Sequence, residues 1–87
     1  MLFPMGRLLA TPGVLDAVSG DDLAAALGRH LSGDWGDVGE SDKRSNNTAL
    51  KTDARLFSAY HTAANEKFWI ITEADRSATT VLLPSEY

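Results

Sequence analysis

The chain predicts an α+β fold: a small antiparallel β-sheet with two or three helices on one face. Three observations carry that expectation. Lys67–Glu73 and Thr79–Pro84 are two apolar runs rich in β-branched and aromatic residues, flanked by and separated with polar residues, the pattern of a β-hairpin. Leu23, Ala26, Leu27, His30 and Leu31 recur at helical spacing. The helical signals cluster before residue 53 and the strand signals after it, which separates helices from strands along the chain instead of alternating them.

With 87 residues, 44% of them hydrophobic, the chain makes one α+β domain, residues 1–87, around a single core. Met5–Ala10 reads as a short strand, an optional fourth member of the sheet. Thr11 and Pro12 open a short helix carrying Val14, Leu15 and Val18 on one face, with Thr as N-cap and Pro at the first helical position. Ser19 caps a second helix, about Gly20 to Ser32. Its first turn holds Asp21 and Asp22, where the helix dipole favours negative charge. Gly33 stops it. Gly33–Glu40 is a loop of three acids, three glycines and Trp35. Ser41 starts a polar third helix through Thr52, with Ala49 and Leu50 as its apolar residues. Arg55–His61 is a strand, Thr62–Glu66 a turn, and the hairpin follows, so the last three strands form an antiparallel meander.

Charge is uneven. Between Asp16 and Asp42 seven acids face one base, Arg29, giving −6, whereas Lys43–Tyr87 has six bases and five acids, giving +1. A nucleic-acid binder normally shows a basic stripe, so the whole-chain balance points to a protein partner and away from direct nucleic-acid binding. No stretch has the length of a membrane span. The chain has no cysteine, which fits a reducing, cytoplasmic setting.

The candidate site residues lie in the acidic loop: Asp34, Trp35, Asp37 and Glu40. Their spacing, continued to Asp42, is three, three and two, which does not match a calcium loop, and no cofactor or metal is expected. Two readings of Trp35 stay open. It tucks into the core beneath a solvated loop, or it anchors a partner, as tryptophans do at interface hot spots. His30 and His61, thirty-one residues apart, are expected to pack and not to ligate. Glu73, Asp75 and Arg76 fit a hairpin turn. Arg55, Lys67 and Arg76 are candidates for a basic patch on one side of the sheet.

Four stretches, GRLLATPG (Gly6–Gly13), GDWGD (Gly33–Asp37), RLFSAY (Arg55–Tyr60) and WIITEADRSATTVLLPSEY (Trp69–Tyr87), resemble a set of small bacterial proteins carried on plasmids and other mobile elements. That resemblance implies a genetic setting and supplies no site. Taken with the small size, the lack of a catalytic constellation and the −6 segment around Trp35, it leads to the expectation of a non-enzymatic interaction module, of the kind that inhibits a host nucleic-acid-directed defence complex (anti-CRISPR or anti-restriction, borne by plasmid or phage), acting through the acidic surface. The element order is also similar to RNase toxins of the RelE/ParE type, an analogy that implies Tyr60, His61 and Arg76 as catalytic residues. A homodimer is the third expectation, because the apolar strands near Trp69 and Val81 exceed what one layer of helices covers.

Overall fold

The computed structural model describes all residues, Met1–Tyr87. The elements are β1 (Arg7–Ala10), α1 (Pro12–Ala17), α2 (Gly20–Leu31), α3 (Glu40–Thr52), β2 (Leu56–His61), β3 (Lys67–Thr72), β4 (Ala78–Leu82) and a 3-10 turn at Pro84–Glu86. The α+β class holds. The sheet order is β1-β4-β3-β2. β2, β3 and β4 form the expected antiparallel meander. β1 departs from an all-antiparallel sheet: it pairs parallel to β4, with Leu8 beside Thr79 and Ala10 beside Val81. The reason is the path of the chain. All three helices intervene between β1 and β4, so no tight turn constrains their relative direction.

Alternation along the strands sorts the side chains. Leu56, Ser58 and Tyr60 of β2, Phe68, Ile70 and Thr72 of β3, and Thr79 and Val81 of β4 share one face and are buried. The helices cover that face. Val14 of α1 and Ala26 of α2 pack with Val18, Tyr60, Phe68, Ile70 and Val81, while Ala49 of α3 packs with Phe3, Trp35 and Leu56.

Local signals explain the helix ends. Ser19 Oγ accepts from the Asp22 amide, as an N-cap should. Thr11 instead turns its hydroxyl to Glu86, whose other carboxylate oxygen accepts from the Gly13 amide at 2.9 Å. The start of α1 is thereby tied to the end of the chain, and the Thr11 hydroxyl holds the Glu86 carboxyl below the usual range.

The outer edge of β2 is closed. Asn46 of α3 donates Nδ2 to the Phe57 carbonyl at 2.7 Å and accepts the Phe57 amide on Oδ1 at 3.0 Å. One side-chain amide thus acts as a single rung of a neighbouring strand. Two residues on, the Ala59 amide donates to Trp35 O, and the Asp37 amide donates to Ala59 O. Asn46→Ala leaves two partly buried backbone groups without partners and should lower stability by about 2 kcal/mol, read as a shifted urea midpoint at unchanged slope.

Candidate functional site

Asp34, Trp35 and Asp37 sit in the loop along that closed β2 edge, whereas Glu40, expected to end the loop, is the first residue of α3. Asp34, Asp37 and Glu40 stand in solvent, with side-chain exposures of 56%, 66% and 77%. Trp35 does not. Its indole is only 4% exposed, stacked at 6.4 Å on Phe3 and edge-on at 5.7 Å to His30. Its Nε1–H donates to Asn47 Oδ1 at 3.2 Å. This corrects the anchor reading: the tryptophan pins the loop from inside and offers no surface to a partner. Gly36, at φ +74°, makes the turn that lets the chain put Trp35 inward and Asp37 outward.

Asp34 and Glu40 each have a cation nearby, and Asp37 has an imidazole. Arg29 grips Asp34 in a two-point contact, Nε to Oδ2 at 2.7 Å and Nη2 to Oδ1 at 3.2 Å, which holds the Asp34 carboxyl below the usual range. His61 Nε2 lies 3.8 Å from Asp37, and Lys43 Nζ lies 3.6 Å from Glu40. These are exposed pairs, each worth under about 1 kcal/mol, so the acids stay available to a competing cation. No group of three or more His, Cys, Asp or Glu residues is arranged to hold a metal ion.

Tyr60, His61 and Arg76 do not converge. Tyr60 is buried, donates its hydroxyl to the Asp34 carbonyl at 2.7 Å, and lies under the Arg29 guanidinium at 4.8 Å. Burial pushes its phenol up to about 12, away from proton-transfer work near neutrality. His61 ends β2, opposite Lys67, while Arg76 follows the other end of β3, where Thr72 faces Leu56. Six-residue strands put those ends roughly 16 Å apart.

Arg76 is structural, an outcome the turn composition did not reveal. It sits at φ +61° and donates to the carbonyls of Ala54 at 2.6 Å and Ala49 at 2.9 Å. The guanidinium closes the end of α3 and lies 5.7 Å from the Phe3 ring. Arg76→Met keeps the stem and should cost about 2 kcal/mol in urea denaturation, because the Ala49 and Ala54 carbonyls lose a charged donor.

The buried polar cluster lies beneath the loop. His30 Nδ1 is 2.5 Å from Ser58 Oγ, and Nε2 is 2.9 Å from Thr72 Oγ1. Thr72 Oγ1 is 2.8 Å from Thr79 Oγ1, which donates to the Met5 carbonyl at 2.8 Å. That last bond sets every proton. Thr79 spends its hydrogen on Met5, so Thr72 donates to Thr79, His30 Nε2–H donates to Thr72, and Ser58 donates to Nδ1. The imidazole is the neutral Nε2–H tautomer, and burial lowers its pKa to about 4. Ser58 beside His30 has the spacing of a nucleophile and its base, yet both are fully buried, and a neutral hydroxyl stands where an acid would orient the ring. The cluster is a structural relay that joins α2 to β2, β3, β4 and the N-terminal segment.

The one surface hollow, about 350 Å³, runs along α3 between Ser41 and Thr52 and is shallow, with Arg44 as its charged wall. Comparison with protein-family models, with curated proteins and with solved structures finds no match for this chain.

Proposed function

We propose that this protein is a non-enzymatic binding module that docks, through the acidic rim of the β2 edge, onto a protein with a cationic groove. The observation that carries the reading is the mounting of Asp34, Asp37 and Glu40. Asp34 and Asp37 project from a loop fixed by Trp35 and by the Ala59 backbone bonds, and Glu40 from the first residue of α3, so little ordering entropy is lost when a partner binds. A groove built for nucleic acid attracts any rigid array of carboxylates. This fits an inhibitor of a nucleic-acid-directed defence complex of the anti-CRISPR or anti-restriction type, cytoplasmic and carried by a mobile element, as the resemblance of Gly33–Asp37 and Trp69–Tyr87 suggests. No helix is long and apolar enough to cross a membrane.

Co-elution with purified restriction and CRISPR nuclease complexes tests the reading. Asp37→Lys with Glu40→Lys should weaken binding at least tenfold while leaving the fold intact. Trp35→Ala is a poor probe, because it empties the core. Binding indifferent to the charge reversal, or absent with every such complex, overturns the acidic rim.

A second reading, self-association, is favoured by β1. Its four residues are all exposed, Leu8 at 43% and Leu9 at 39%, and it lies at the end of the strand order. Concentration-dependent mass in light scattering, lost on Leu8→Lys, is the expected result for that reading.

A further inference from the structure

The face of the sheet turned away from the helices carries a different chemistry from the rest of the molecule. Alternation places Phe57 of β2, Trp69 of β3 and Leu9 of β1 on it, and the register sets Trp69 beside Leu82 and Ala59. Phe57 and Trp69 meet edge-to-face at 5.1 Å, and Tyr87 closes on Trp69 at 5.8 Å, making a three-ring platform. Phe57 and Trp69 are half-buried and Tyr87 is 72% exposed.

Cations border the rings. Arg55 donates to the Tyr87 hydroxyl at 2.8 Å, with its guanidinium 5.5 Å from that ring. Lys67 stands two residues before Trp69, and Arg7 two before Leu9, so both alternate onto the same face. None of the three has a carboxylate partner: the carboxylate contacts of the chain's basic side chains belong to Arg29, Lys43 and His61. Glu73 is the acid that continues β3 onto this side. The fold therefore splits a chain of net charge −4 into an acidic rim and a cationic, aromatic sheet face. The whole-chain balance that argues against nucleic acid averages over the two.

We propose that this sheet face binds single-stranded nucleic acid, with bases stacking on Trp69, Phe57 and Tyr87 and phosphates meeting Arg55, Lys67 and Arg7. Unstacked bases suit an aromatic sheet face bordered by cations, and sequence matters little, since every base has a π-face. The platform spans on the order of four nucleotides, the low end for such surfaces. Duplex bases are already stacked and cannot use the rings. The inference uses residues separate from the acidic rim and stands whether or not the rim docks a protein.

The test is fluorescence anisotropy with labelled oligo-dT of about twelve nucleotides, a duplex of equal length and poly-glutamate as probes. Saturable oligo-dT binding is expected, with quenching of Trp69 emission that Trp69→Phe abolishes while the buried Trp35 stays silent. Arg55→Glu with Lys67→Glu should weaken binding at least tenfold, and Trp69→Ala about fivefold or more. The logarithmic salt slope should be about −2, from three phosphate contacts. Asp37→Lys with Glu40→Lys should bind at least as well, which separates this face from the rim. Four results each overturn the proposal: no binding at low salt, equal affinity for the duplex, equal affinity for poly-glutamate, or a dimer that buries Trp69.

Discussion

Replacing His30 with leucine should cost about 2 kcal/mol at pH 7 and remove most of the protein's acid sensitivity above pH 4. Leucine fills the space between Phe3 and Trp35 but leaves the Ser58 hydroxyl buried without an acceptor. In the native protein the pH effect has a definite sign. The unfolded chain takes a proton on this ring near pH 6.5 and the folded chain only near about 4. Between those values the unfolded state holds more protons, so the contribution is complete above the upper value and is lost as pH falls. A shift of that size corresponds to about 3 kcal/mol. Urea midpoints measured from pH 7 to pH 4 should therefore fall steeply for the native chain, more shallowly for His30→Leu, and the two curves should meet near about pH 5. Parallel curves would show that His30 is not held neutral.

Gly36→Ala is expected to cost about 3 kcal/mol, a large share of what a domain of this size has. The residue sits at φ +74°, and a methyl there would overlap the Ala59 carbonyl oxygen and the Tyr60 ring. The loop would have to move off β2, taking Trp35 with it and reopening the edge at Ala59. The neighbouring Gly39 is the control. It has an ordinary φ of −70° and open space where a Cβ would be, so Gly39→Ala should cost under about 1 kcal/mol. Near-UV circular dichroism reports Trp35 directly and should weaken in Gly36→Ala alone. Equal effects at the two glycines would remove the close approach from the account.

The strands and the helix Gly20–Leu31 were legible because their signals are local: β-branched runs, a serine cap, a glycine stop. The parallel placement of β1 was not, since it depends on partners at the far end of the chain. The sequence presents His30 as a packing residue, and it does pack. Its hydrogen bonds reach Ser58 and Thr72, 28 and 42 residues away, and no spacing rule announces such a relay. Trp35 carried two readings because a glycine-rich acidic loop looks alike whether its aromatic residue turns in or out. Gly36 decides, through a backbone approach that exists only once β2 is in place. Arg76 read as a turn residue for the same reason: the carbonyls it serves belong to α3 and to the residue before Arg55. Arg55 and Lys67 fell as the strand alternation implied, and Arg76 left that patch for the interior side.

The position of β4 between β1 and β3 also bears on how the chain is made. On a ribosome, the first strand emerges long before the strand it joins, and the Thr79 hydroxyl that will hold the Met5 carbonyl lies 74 residues downstream. Until then Leu8 and Leu9 wait without a neighbouring strand, an adhesive segment of the nascent chain. The hairpins near the carboxyl end close over short loops and form first, so completion of the sheet is a late event governed by the slow return of the amino-terminal segment.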